Sequence, residues 1–326
     1  MAGITIHRAL IYALVIAVSV VAATAVAQSY PVKPVRLIVP WSAGSGTDLM
    51  SRTLAAKMSE ALNQQVIVDN RGGAGATIGS EVAARSPPDG YTLYIGGSVS
   101  MAISPALYGK VAYDPIRDFA PVSLVSQFFN ALSVHPSLPA KSLKELIALG
   151  RSRSSELLMG SAGNGSTSHL AGELFKKMTH VNMTHVPYKS GGQLVIGVVS
   201  GESHLSFSPV STALTHMKSG KLRTLAVTSA QRLPSLPQLP AVAETVPGYE
   251  FGGWQAVLVP AGTAQDVIRR LNAAILKAVN APEFKDYLAR EGSELVGSSP
   301  EQLATFLRAE VTKNAELIRS AGIKPE

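Results

Sequence analysis

The chain of 326 residues contains no cysteine. That excludes disulfides, thiolate chemistry and a lipid anchor on cysteine. Beyond residue 27 there is no apolar run long enough to cross a bilayer. The sequence is basic, at +7, but has no block of Lys or Arg and no interleaving of basic with aromatic residues. No nucleic-acid partner is therefore expected, and the charge favours small anions or anionic surfaces. Enzyme signatures are missing too. No serine sits in a G-x-S-x-G turn, no G-x-x-x-x-G-K-[ST] string occurs, and G-x-G-x-x-G is incomplete at Gly73 and Gly163. His169 and His185 stand in suggestive places but lack a partner at metal-ligand spacing. His180 and His185 are separated by a turn, which is poor geometry for a shared ion. No catalytic residue, metal or cofactor is expected.

What is present begins with an export signal. Arg8 precedes a nearly uninterrupted apolar run over residues 9–23, and Ala25-Val26-Ala27 is a small-x-small cleavage pattern. Residues 1–27 read as a cleaved signal peptide, with Gln28 the first mature residue. The alternative of a membrane anchor suits the run poorly, because it is short and Tyr30-Pro31 follows. A soluble periplasmic protein is expected. The mature chain of about 300 residues exceeds the usual single core, which suggests two domains. The hydrophobic content of 46% allows cores without disulfides.

The organising stretch is residues 35–61. Residues 35–39 form a short apolar run suited to a buried strand. Residues 40–47 are small and uncharged, and from Asp48 the apolar spacing becomes helical. A strand, a small-residue loop and a helix follow in order. Such a loop brings unpaired backbone N–H groups to a helix N-terminus, where the partial positive charge favours an anion. The same pattern also serves a plain βα turn with Asp48 as its cap.

The rhythm repeats. Strands are predicted at 65–69 and 91–95, with a helix at 77–84 between them and a small-residue loop at 96–100. Strand-like runs follow at 121–126 and 131–134, then a helix opened by a capping box at Ser142. A second series places strands at 157–160, 183–186, 205–207 and 222–227, with helices between. Residues 229–248 are rich in proline and read as a long surface connection. Residues 254–259 read as one more strand. Helices follow over 263–280, with Thr263 as N-cap, then 282–291, and from Ser299 to about residue 321. Alternating strands and helices predict parallel, doubly wound sheets whose ligands sit at the carboxyl ends of the strands. The first domain is expected to be left near 126–131 and regained near 252–254. Lobe 1 is then 28–128 plus 252–326, and lobe 2 is 129–251, joined by two connecting segments that form a hinge.

Nine ordered blocks now carry a resemblance. They are residues 40–48, 66–75, 88–93 and 113–115, then 118–122, 163–173, 185–189, 220–228 and 260–263. Together they make the chain similar to the Bug-type periplasmic solute receptors of tripartite tricarboxylate transporters, over residues 30–326. The resemblance implies a type II periplasmic-binding-protein fold of two α/β lobes that close like a Venus flytrap, and no catalysis. It implies a small organic anion, typically a carboxylate, held by backbone and hydroxyl groups on loops of both lobes. It also implies partners in the membrane subunits of such a transporter. A membrane sensor kinase is the alternative partner, and monomer is the default state. Two departures stand out. Ser45 enters the first loop where the family often has adjacent glycines. Ser208 replaces an aspartate that suits a ligand amino group, which points to a plain carboxylate.

Candidate contacts are Trp41, Ser42, Ala43, Gly44, Ser45, Gly46 and Thr47 on the first loop. Ser98 and Ser100 stand on the second. Ser161, Asn164, Ser166, Thr167, Ser168, Tyr188 and Ser208 come from the other lobe. Several have plainer roles open to them. Ser166, Thr167 and Ser168 stand where a helix needs a cap. Trp41 suits stacking on a ligand or packing at the rim, and Tyr188 suits a ligand contact or the domain wall. Trp254 could pack at the crossover.

Overall fold

The computed structural model describes residues 30–152 and 156–325. The expected signal peptide lies outside the described residues. No helix among them is long and apolar enough to cross a membrane.

The organising stretch folds as read. Strand β1 (Val35–Val39) leads through a loop to helix α1 (Gly46–Leu62). Val35, Leu37, Ile38 and Val39 are all fully buried. Both faces of β1 are covered, as expected of a parallel strand inside a doubly wound sheet. Strands β2 (Val66–Asn70) and β3 (Thr92–Gly97) flank β1 in parallel. Helix α2 (Thr77–Ala84) connects them. Gly79 lets α2 approach closely, since a Cβ there would lie 2.7 Å from the Arg71 carbonyl oxygen.

Three sequence readings are corrected. The loop expected at 96–100 is instead the end of β3 followed by a wide π-type helical turn over Ser98–Ile103, which runs on into α3 (Ser104–Tyr108). The two strands expected at 121–126 and 131–134 are one strand, β4 (Phe119–Val134). The polar and aromatic residues between them, Gln127 to Asn130, hid its continuity. Thr263 is not a cap either: its hydroxyl donates back to the Pro260 carbonyl, and Ala264 takes the N-cap position of α8 (Gln265–Val279).

Strand β4 belongs to both sheets. Its first part, Phe119 to Phe129, pairs with β9 (Gly252–Pro260), which lies antiparallel between β3 and β4. Its last residues, Asn130 to Val134, pair with β7 (Leu205–Pro209) and β8 (Arg223–Val227). Beyond β7 lie β5 (Leu157–Ser161) and β6 (Met183–Pro187), all parallel. The full order is β2-β1-β3-β9-β4-β7-β5-β6. A short strand β10 (Ser293–Leu295) edges the first sheet along β4.

Helices cover both faces of the second sheet. Leu132, Val134, Met159 and Phe207 pack on α5 (Thr167–Thr179) through Leu170, Ala171 and Phe175, with α4 (Leu143–Arg151) beside it. On the other face Ala131 and Val227 meet α6 (Gly191–Val199) and α7 (Val210–Lys218). In the first lobe α1 packs on α8, and α9 (Pro282–Arg290) follows it. The last helix, α10 (Pro300–Ala321), opens with the expected capping box at Ser299 and Gln302. Its Leu303 and Leu307 join the first core. Its Leu317 and Ile318 join the core of the second sheet, so α10 lies against both. The sequence reading had it return only to the first.

The chain crosses between the sheets twice, side by side. One crossing is β4 itself at Phe129 and Asn130. The other enters at Thr228, directly after β8. The Thr228 N–H donates to the Asn130 carbonyl at 2.9 Å, and the Asn130 N–H donates to the Thr228 hydroxyl at 2.8 Å.

Candidate ligand-binding cleft

At the carboxyl ends of β1, β5 and β7 a cleft of about 420 Å³ opens between the two sheets. That size suits a small metabolite. Helix N-termini from both lobes line it: Ser45, Gly46 and Thr47 of α1, Thr167 and Ser168 of α5, Gly191 of α6, and Val210, Ser211 and Thr212 of α7. Among the described residues, the first-turn N–H groups of Gly46, Thr47, Thr167, Ser168, Val210 and Ser211 have no acceptor. Unpaired N–H groups at helix N-termini carry partial positive charge. Convergence of three such ends makes a seat for an anion without a basic side chain. Indeed no Lys or Arg lines the cleft among the described residues, and its one ionisable acid or base is Glu291, apart from the phenol of Tyr287.

The α1 end is built with care. Ser45 is the N-cap, its hydroxyl accepting from the Asp48 N–H at 3.2 Å. Asp48 is buried and faces inward to the loop, where it accepts from the Gly44 N–H, the Arg52 guanidinium and the Asn70 amide. Burial works to raise its pKa, but the hydrogen bonds from Arg52, Gly44 and Asn70 outweigh it, and the pKa is lowered. Asn70 also donates to the Trp41 carbonyl, which fixes the loop from its other end. Asp48 is thus the loop's organiser. Thr47 is steadied by Gln255, whose amide donates to its hydroxyl at 2.8 Å while Ser126 donates to the Gln255 oxygen at 3.2 Å.

The α5 end has its own support. Ser166 caps the helix, accepting from the His169 N–H at 3.2 Å. The Ser168 hydroxyl accepts from the Ala162 N–H at 2.8 Å. Below the loop, the rings of His169 and His185 stack with centroids 3.7 Å apart and planes 6° apart. His169 Nδ1 accepts from the Gly165 N–H at 3.2 Å, so that nitrogen carries no proton. Burial, then the neighbouring His185, then Lys176 push the His169 pKa down to about 3. The ring is neutral, and its 3.9 Å approach to Glu173 is therefore no ion pair. His185 Nε2 shares a hydrogen bond with the Ser161 hydroxyl.

The walls are apolar: Trp41 and Met50 from lobe 1, Phe128 and Phe129 from the crossing strand, Val210 from α7 and Leu288 from α9. Gly253 makes room for Phe128, since any Cβ there would run into that ring. Tyr287 closes one side, its hydroxyl donating to the Gly46 carbonyl at 3.1 Å. Burial, then the charge of Glu291, push the Tyr287 pKa up to about 12, so it stays a donor.

Of the residues singled out in the sequence, Trp41, Ser45, Gly46, Thr47, Thr167 and Ser168 line this cleft. Ser98 and Ser100 line a smaller recess that shares Trp41, Thr47, Phe128 and Gln255 with it. Ser42, Ala43 and Gly44 are exposed and stand off the lining. Ser161 is buried against His185, and Asn164 reaches the Lys324 carbonyl. Ser166 acts as a cap. The Tyr188 hydroxyl pairs with Ser203 at 2.9 Å and its ring packs over Gly197, which is the wall role. Ser208 is fully buried and unpaired, one residue short of the lining at Pro209. Trp254 is buried too, donating to Glu310 at 3.0 Å. Ser211 and Thr212 lie on the segment after Phe207 that the resemblance places at the site, whereas sequence reading missed Phe128, Phe129, Gln255, Tyr287 and Glu291. Gln255 carried a signal, as a polar residue inside an apolar strand, and so did the Phe128-Phe129 pair before a buried Asn.

The fold and the cleft define a two-lobed α/β binding protein. The chain belongs to the tripartite tricarboxylate transporter receptor family, whose model matches residues 50–323. It is a receptor of that family and not an enzyme. It is 34% identical to the protein BugT of Bordetella pertussis over 311 residues, 95% of each chain. R. palustris Rpa4515, solved with adipate, is 36% identical with a TM-score of 0.79, covering 91% of this chain and 100% of that one. MatC from Rhodopseudomonas palustris, solved with malate, is 28% identical with a TM-score of 0.75, covering 89% and 100%.

Proposed function

We propose that this chain is a periplasmic receptor that captures a small organic carboxylate between its lobes and presents it to the membrane subunits of a tripartite tricarboxylate-type transporter. The observation that carries the reading is the set of unpaired first-turn N–H groups, from Gly46 and Thr47 on one side and Thr167, Ser168, Val210 and Ser211 on the other, lining a single cleft. An anion touching both sides favours the closed arrangement, because only differential contact can shift such an equilibrium. The relatives solved with adipate and malate support a carboxylate as the ligand class.

In this reading lobe 1 is 28–128 with 252–326, lobe 2 is 129–251, and the paired crossings at Asn130 and Thr228 are the hinge. Residues 1–27 are the export signal, cleaved after Ala27. The receptor acts as a monomer. Trp41, Ser45, Gly46, Thr47, Ser98, Ser100, Thr167 and Ser168 contact the ligand or its waters.

A thermal-shift screen of the mature protein against small carboxylic acids and their amides tests the proposal. A ligand that binds only the folded state raises the melting temperature by mass action. The expected result is a shift with one class of acid and none with its amides. A shift confined to sugars or inorganic cations overturns it.

A further inference from the structure

The cleft presents a charge problem. Its helix N-termini suit a carboxylate, yet the one charged side chain on its lining is an acid, Glu291. Glu291 follows α9 directly and is half-buried, and it has no hydrogen-bond or ion-pair partner among the described residues. It stands close to the seat. Tyr287, one helical turn earlier, reaches the Gly46 carbonyl at the α1 end, and the charge of Glu291 is felt at that hydroxyl. Its chain neighbour Gly292 abuts the α7 end, where a Cβ would lie 2.7 Å from Val210 Cγ1, and Glu291 and Val210 line the same cleft. A carboxylate seated on those N-termini shares the cleft with the Glu291 carboxylate, and no lysine or arginine lines it to offset their repulsion. A cation carried by the ligand itself would resolve the conflict. The surrounding faces of Trp41, Phe128 and Phe129 also suit a cation beside an apolar body.

We propose that the ligand is an amino carboxylate, bound as a zwitterion, with its carboxylate on the helix N-termini of α1, α5 and α7 and its ammonium on Glu291. This rests on the carboxylate-receptor reading above and narrows it. It also reverses the expectation drawn from Ser208. The acid that a ligand amino group needs comes from the other lobe, at the end of α9, on the lining that Pro209 and Val210 share. Because Glu291 sits in lobe 1 and Val210 in lobe 2, the ammonium would join the contacts that hold the lobes together.

The test is calorimetric titration of the mature protein with matched pairs that differ only in the amino group: leucine against 4-methylpentanoate, and phenylalanine against 3-phenylpropanoate. Expected is a preference for at least one amino acid of about ten- to hundredfold over its partner, the range of one charge-assisted hydrogen bond. Glu291→Gln should remove that preference while leaving the des-amino acid's affinity the same or tighter. Its melting temperature without ligand should match the wild type, which separates lost recognition from lost fold. If the des-amino acids bind as well as or better than the amino acids, or if Glu291→Gln leaves the preference intact, the inference falls and the carboxylate receptor stands. If neither member of any pair binds, and no other acid shifts the melting temperature, the reading beneath it falls as well.

Discussion

Asn130 and Thr228 hold each other at the two points where the chain passes between the sheets. Each N–H is satisfied by the other residue, through a carbonyl in one direction and a hydroxyl in the other. Both residues are fully buried. In the proposed hinge, two unlinked segments could shear, whereas these reciprocal hydrogen bonds tie the two crossings to each other. Asn130 has a further contact in its amide, which donates to the Thr167 carbonyl at 3.4 Å. The pair therefore touches the first turn of the helix that lines the cleft.

Thr228→Val tests this coupling. The substitution keeps the shape and removes the acceptor of the Asn130 N–H. A buried donor left unpaired costs roughly 1–3 kcal/mol. Urea unfolding of wild type and variant should show that loss, with an unchanged m-value. Thr228→Ser keeps the hydroxyl and should recover most of it. A loss under 0.5 kcal/mol for Val, on the order of surface changes, would count against the pair as a structural tie.

The His169 and His185 stack predicts sensitivity to acid. The folded pKa of His169, about 3, lies below the ordinary value of 6.5, so folding favours the neutral ring. Its contribution is complete above pH 6.5 and is lost as the pH falls from there toward 3. At pH 5 the loss should be roughly 1–2 kcal/mol. Protonation also removes the acceptor of the Gly165 N–H, beneath the loop that ends at Thr167 and Ser168. His169→Asn keeps an acceptor near Nδ1 without the titration. Melting temperatures between pH 7 and pH 5 should fall less steeply for that variant than for the wild type.

Ser45 and Ser166 are matched caps on the two helices that meet across the cleft. Replacing either with Ala should cost about 1 kcal/mol of stability. Ligand affinity should fall in both, since the adjoining N–H groups of Gly46, Thr47, Thr167 and Ser168 lose their fixed direction. Chemical denaturation and titration on the same samples separate the two effects. Unchanged affinity in both variants would remove these helix ends from the binding site.

Gly292 predicts a steric brake. Its φ is +63°, and a side chain there would press on Val210 across the cleft. Gly292→Ala should destabilise by about 1 kcal/mol from backbone strain. It should weaken ligand binding by more than that strain suggests, because the lobes are held apart at α7. X-ray scattering with ligand should report a more open particle than the wild type gives.

Much of this was legible in the sequence. The run from Val35 to Leu62 declared its strand, loop and helix, since the change from a continuous apolar run to helical spacing is a local signal. The capping box at Ser299 was equally local. Residues 229–248, however, are no surface connection. Leu233, Ala241 and Val242 are buried, and Val242 and Val246 join the core of the second sheet, which their proline-broken spacing does not announce. The missing parts were those that depend on distant chain. Gln255 matters because β9 lies between β3 and β4, and Tyr287 and Glu291 matter because α9 folds back over α1. No window of fifteen residues contains those facts. The single strand β4 was read as two because its middle, Gln127 to Asn130, must serve a core, a cleft and a crossing together. Its pattern therefore matches no one period.

The position of β9 also bears on when the protein can fold. Residues 130–228 hold every strand of the second sheet in unbroken order. The first sheet has a gap between β3 and β4 that only residues 252–260 can fill, and its core further needs Leu303 and Leu307 near the end of the chain. Pairing across such sequence distance is slow. The strands of the second sheet can pair before those of the first, but both cores close only when the last tenth of the polypeptide brings in Leu303, Leu307, Leu317 and Ile318. One helix thus acts as the closing piece of two cores at once, and losing it would leave both sheets with an uncovered face.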